Sequence, residues 1–218
     1  QQPVCCTLSS SSRSVSRATP ELLKLIDDIL PISSNAKPLL LGDAEHFSVS
    51  LFNHIAHAGR YDLLVPIPGQ PYYKKFLRSI PSSAFRHHWA GYATAVVPFA
   101  FHKSNTNPLW CFVQRSGELP ESFIFKGFIC TSPRDEVEAL SRQFPERWHI
   151  EEFFNLYQEL GWKKAGTLNA NIRYGRVTTA LIAQAAISQM RKRLPKSCSS
   201  WDTSHLARHF FQGLDGDI

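Results

Sequence analysis

The chain has 218 residues, 43% of them hydrophobic and 19% charged, with a formal net charge of +6 and a pI near 9.2. That apolar content supports a real core and excludes a globally disordered chain. The length suits one sizeable domain or a domain carrying an insertion, and the basic balance is compatible with nucleic acid without selecting it.

In chain order, Val4 to Leu8 reads as a short strand, followed by a Ser-rich loop from Ser9 to Ser16. Thr19-Pro20-Glu21 is read as a helix start, with Thr as N-cap, Pro at the first helical position and Glu in the first turn. Leu22, Leu23, Leu25, Ile26, Ile29 and Leu30 supply its buried face, and Pro31 ends it. Leu39-Leu40-Leu41 is a continuous apolar run, the pattern of a central strand, and it stops at Gly42-Asp43. A helix from Ser48 to Ala58, closed by Gly59, and a strand from Tyr61 to Pro68 follow. Strand and helix alternate so far, which predicts α/β architecture.

From Pro71 to Pro120 aromatic and β-branched residues dominate, and an antiparallel β-rich insertion is expected. Phe123 to Cys130 reads as a strand, and Thr131 to Glu136 opens another helix. Arg147 to Glu151 belongs to a further helix whose Ile150, Phe153, Phe154 and Tyr157 follow the spacing of a buried stripe. A long helix is predicted from Tyr174 to Arg193, with a polar tail from Pro195 to Ile218. The five cysteines (Cys5, Cys6, Cys111, Cys130, Cys198) are odd in number, scattered and without a Cys-x-x-Cys pair. They suggest reduced thiols rather than a disulfide framework or a zinc ribbon. No apolar run reaches the length of a bilayer span and no signal peptide is read, so a cytoplasmic protein is expected.

Two places could hold phosphodiester chemistry. Asp43 follows an apolar strand directly, where open α/β sheets place their active sites, and a carboxylate there suits a hard cation. The competing reading is a helix cap or turn Asp. Arg147 and Glu151 stand four residues apart and so share one helix face, Arg147 suiting a phosphate and Glu151 a metal ion. The competing reading is a surface ion pair of small energetic weight. Lys163, Lys164, Arg173, Arg176, Arg191, Lys192 and Arg193 surround the C-terminal helices and could meet phosphates or simply solvate a helix face. His205 and His209 have a metal-binding spacing but lack the intervening Glu of a His-Glu-x-x-His pattern.

The run Arg147-Trp148-His149-Ile150-Glu151-Glu152-Phe153 resembles the Arg-Trp-x-Ile-Glu core of one group of bacterial insertion-sequence transposases, of the DDE type, with a Tyr-x2-Arg-x3-Glu-x6-Lys signature. Leu39 to Phe47 resembles the segment bearing that family's second Asp. The resemblance runs from about Leu8 to Leu194. It implies a ribonuclease-H-like catalytic core, incomplete at its N-terminus, interrupted by a β-rich insertion. Residues 1–70 would be the first part of the core, 71–122 the insertion, 123–194 the remainder with the Glu-bearing helix, and 195–218 a polar tail.

The resemblance further implies that Asp43 and Glu151 are catalytic metal ligands for Mg2+ or Mn2+. In the complete family domain two such ions, about 4 Å apart, stabilise the attacking and leaving oxygens of DNA strand cleavage and transfer. Arg147, Lys163 and Lys164 would bind DNA phosphates, and Trp148 and Ile150 would fix their helix against the sheet. DNA is the implied partner, with a possible homodimer in the DNA complex, no membrane, and a cytoplasmic, nucleoid-associated bacterial setting.

Three positions depart from the family pattern. Phe144 stands at the signature Tyr, Gln158 at the signature Lys, and no first catalytic Asp is found, since Asp27 and Asp28 fall within a helix. The first two strands of the core are therefore expected upstream of Gln1, and the expectation is a C-terminal transposase fragment without cleavage activity. The alternatives are a non-catalytic DNA-binding relic or an unrelated basic α/β domain.

Overall fold

A computed structural model of the chain describes residues 13–30, 37–89, 91–101, 107–151, 155, 166, 169–195, 201 and 206. Two compact units divide the chain, one from Cys5 to Arg147 and one made of Gln1–Val4 with Trp148–Ile218. The strand expected at Val4 to Leu8, Lys163, Lys164, Gln158, and His205 and His209 lie outside the described residues.

The larger unit holds a six-stranded mixed sheet in the order β1-β2-β6-β5-β4-β3. Its strands are β1 (Leu39–Leu41), β2 (Asp62–Pro66), β3 (Arg86–Trp89), β4 (Tyr92–Phe99), β5 (Leu109–Ser116) and β6 (Ile124–Cys130). β1 and β2 run parallel, with Leu40 opposite Leu63, and every other junction is antiparallel. The α/β class expected from the sequence is thus present.

Both faces of the sheet are covered, which is why β5 opens with an unbroken apolar run, Leu109–Val113. On one face lie α1 (Val15–Ile29), α2 (Val49–Ala58) and α3 (Pro71–Ser79). Their Leu23, Phe52, Ile55 and Leu77 join one core cluster with Leu63, Val65, Cys111, Val113 and Ile129. On the other face lies an irregular helical stretch: α4 (Glu136–Glu138), a π turn (Ala139–Gln143) and a 3-10 turn (Phe144–Arg147). Here Ala139, Leu140 and Phe144 pack on Leu64, Phe112, Phe128 and Cys130. The smaller unit contains α5 (Ala170–Arg193), capped by Asn169, whose side chain accepts from Asn171 N–H at 3.0 Å. Arg191, Lys192 and Arg193 in its last turn complement the helix dipole. Among the described residues no helix is long and apolar enough to cross a membrane.

α2 follows its sequence signals closely. Ser48 precedes it, and Gly59 ends it with a φ of +66°, a left-handed backbone that glycine adopts without strain. Three other expectations are corrected. α1 starts one turn early, with Ser14 as N-cap and Pro20 inside the helix. The Thr19 hydroxyl does not cap; it donates to the Val15 carbonyl at 2.8 Å, one turn back along the helix. β1 is half-buried and pairs only with β2 among the described residues, so it lies at the end of the described strand order rather than centrally. The β-rich expectation for 71–120 holds for β3 to β5 but fails at its start, where α3 forms. Pro71 occupies its first turn, and Tyr73, Phe76, Leu77 and Ile80 fall at i, i+3, i+4 and i+7 toward the core.

Cys111 and Cys130 are free, buried thiols. Burial pushes Cys111 up from 9.0 to about 12 and raises Cys130 as well. A proton held more tightly in the fold than in the unfolded chain stabilises the fold less as pH climbs. This contribution is full below pH 9.0 and is lost as pH rises toward about 12. Maleimide treatment of the native chain at neutral pH, mapped by peptide mass, should leave both thiols unmodified and should modify both in urea. Modification of Cys111 in the native state at the unfolded rate would contradict its packing.

Candidate functional site

Asp43 sits just past the carboxyl end of β1. The sheet continues one residue beyond the strand, since Gly42 N–H donates to the Leu64 carbonyl at 3.0 Å. A Cβ on Gly42 would lie 2.9 Å from His46 Cβ and 3.1 Å from Val65 Cγ2, so the turn closes tightly only over glycine. Asp43 then caps a single 3-10 turn, Ala44–His46. Its Oδ1 accepts from Glu45 N–H at 3.0 Å and lies 2.8 Å from His46 Nδ1. Partial burial pushes this carboxyl up, but the His46 ring and the N–H groups of Glu45 and His46 outweigh it and hold the group below the usual carboxylate value. The side chain remains half exposed. Asp43 is therefore an anionic, pre-positioned carboxylate at the place where open α/β sheets bind ligands. It also fulfils the capping role.

Arg147 closes the irregular stretch of the same unit, its guanidinium 5.7 Å from the centre of the Phe144 ring. Phe144, where the resemblance would place a Tyr, is partly buried against the core: its ring packs edge-on against Phe128 with centroids 4.8 Å apart. Residues 148–151 are helical, and Glu151 is partly buried within the smaller unit. Asp43 and Glu151 thus belong to different compact units. Of the stripe expected beside Glu151 only Ile150 is described, and it is corrected there, being 54% exposed; Trp148, which the resemblance implied would pack its helix on the sheet, is 59% exposed. Phe153, Phe154 and Tyr157 lie outside the described residues. Among the described residues no group of three or more His, Cys, Asp or Glu could hold a metal ion.

Three polar arrangements in the larger unit escaped the sequence reading because each joins residues distant in the chain. Arg134 Nε donates to Asp62 Oδ2 at 3.0 Å, and an Arg134 Nη also donates to the Lys37 carbonyl at 3.0 Å. Leu63 N–H donates to Thr131 Oγ1 at 2.9 Å beside them. On the face shared with α4, the buried Thr94 hydroxyl donates to Glu136 at 3.2 Å and lies 2.7 Å from His88 Nε2. Burial, reinforced by the Glu136 charge, raises the nearby Tyr92 phenol above its ordinary value. On the opposite face Arg115, only 5% exposed, lies between the rings of Phe85 and Phe123 at 4.5 and 4.2 Å, with His87 Nε2 at 3.2 Å. Among the described residues that cation has no carboxylate partner, and the two aromatic faces attract it instead.

No protein-family model matches the chain, and no curated protein matches it either.

Proposed function

We propose that the chain is a DDE-transposase-type domain that binds DNA and, with the residues described, does not cut it. The observation that carries the reading is Asp43, held as an anion just past β1 in a parallel β1-α2-β2 unit. Open α/β sheets bind their ligands beyond the carboxyl ends of such strands. The Arg147-Trp148-His149-Ile150-Glu151 run and the +6 charge support DNA as the partner. The case for inactivity is equally concrete. His46 and the turn N–H groups already engage Asp43, and Phe144 puts an apolar ring where the family signature has a hydroxyl.

The test uses the purified chain, supercoiled plasmid and Mg2+ or Mn2+. The expected result is salt-sensitive retention of DNA with no nicking above background. Metal-dependent nicking that disappears in both Asp43→Ala and Glu151→Ala would overturn the assignment of inactivity. A chain that retains no DNA even at low salt would overturn the DNA reading itself.

A further inference from the structure

From Leu63 to Gly117 the chain contains no Asp or Glu, yet it contains six Lys and Arg: Lys74, Lys75, Arg78, Arg86, Lys103 and Arg115. The remaining residues hold 18 Lys and Arg against all 18 Asp and Glu. The entire formal charge of +6 therefore arises in this one stretch.

Three of those six cations stand on α3. Lys74, Lys75 and Arg78 are exposed, as is Tyr72 at 65%. At 3.6 residues per turn these four positions occupy about half of the helix circumference, while Tyr73, Phe76 and Leu77 occupy the rest and face the core. The side chains of Lys74, Lys75 and Arg78 make no ion pair among the described residues.

The helix that presents them is firmly seated. The Tyr73 ring meets Phe47 edge-on at 5.2 Å, and Phe76 meets Phe99 at 5.7 Å. Leu77 lies so close over Gly127 that a Cβ there would come within 2.7 Å of its Cδ2. The cations are thus carried on a rigid support rather than on a loop.

We propose that the outer face of α3 is the surface on which this chain seats the phosphate backbone of duplex DNA, an assignment that rests on the DNA reading above. Arg78 lies four residues beyond Lys74, a rise of about 6 Å along the axis. That matches about two phosphates of one strand, at one per 3.4 Å. An anionic membrane is the poorer fit. Helices that lie on bilayers insert an apolar face, and the apolar face of α3 is already spent on the core.

The test measures binding of the full chain to a random-sequence duplex by fluorescence anisotropy across a range of salt. The variant Lys74→Ala/Lys75→Ala/Arg78→Ala is compared with a charge-matched control, Arg17→Ala/Lys24→Ala/Arg142→Ala, whose three positions are also exposed. Thermal unfolding confirms that both fold. Each lost phosphate contact should reduce the slope of log K against log salt by about 0.9. The α3 variant should therefore lose about 2 to 3 units of slope and at least about tenfold in affinity at low salt, while the control keeps nearly the parent slope. Equal losses in both variants would mean that only net charge matters and would overturn the proposal. A parent-like slope in the α3 variant overturns the α3 assignment and leaves the DNA reading standing. If the parent chain binds no duplex, both readings fall together. Vesicles containing phosphatidylserine form the last arm. Vesicle binding that depends on the three cations, alongside an unchanged DNA slope, would assign the face to a membrane instead.

Discussion

Replacing Arg134 with leucine should destabilise the fold by about 3–5 kcal/mol, the range for a buried ion pair that loses one member. Asp62 is buried at the first residue of β2, and Arg134 is its ion-pair partner. Without the guanidinium the largely buried carboxylate must stay charged with little access to water or take up a proton, and both cost free energy. The Lys37 carbonyl would lose its donor as well, loosening the entry to β1. The double variant Asp62→Leu/Arg134→Leu should recover most of the loss, because two apolar side chains remove the charge together with its partner. Urea unfolding of both variants checks this. A single variant within about 1 kcal/mol of the parent would mean that the pair behaves as a solvated surface bridge.

Phe52→Ala should cost a similar amount, about 3–5 kcal/mol, by a different route. The Phe52 side chain is fully buried on α2, with its ring centroid 6.1 Å from Phe47 and 5.7 Å from Phe101. Truncation leaves a cavity that rings fixed by the surrounding core cannot readily fill. Phe47 directly follows the 3-10 turn that Asp43 caps, so the cavity also loosens the support of the candidate site. The loss should appear in urea unfolding as a lower midpoint with an unchanged slope. A cost below about 1.5 kcal/mol would show that the aromatic cluster collapses around the gap.

The sequence made some of this legible and hid the rest for identifiable reasons. β1, β2 and β6 were readable because each carries a short run of consecutive apolar residues, Leu39–Leu41, Leu63–Val65 and Phe128–Cys130. α2 was readable because its cap and stop residues are local. α3 was misread because Tyr and Phe favour strands, and a nine-residue helix has too few turns for its period to outweigh composition. The start of α1 was misread because Thr-Pro-Glu is a strong N-terminal signal, and here it lies one turn inside the helix.

At the candidate site, the position of Asp43 at a strand end was legible and its engagement by His46 was not, although both lie in one short turn. The stripe around Ile150 satisfied helical spacing, yet spacing alone does not supply a partner surface, and Ile150 is exposed. Asp62 with Arg134, and Arg115 with Phe85 and Phe123, were invisible because strand pairing brings them together across long separations.

The strand order has a consequence for how the molecule assembles. β3 to β6 form a meander in which each strand pairs with its neighbour in sequence, so little loop entropy is spent in closing it. β2 instead meets β6 across a long excursion, with Val65 opposite Ile129, and β1 can join only after β2 is in place. The Asp62–Arg134 pair spans that late seam, joining residues 72 apart. The loss of Arg134 should accordingly fall on the unfolding rate, leaving the folding rate nearly untouched. The turn that holds Asp43 hangs from the last strand to arrive, and so from the first to leave.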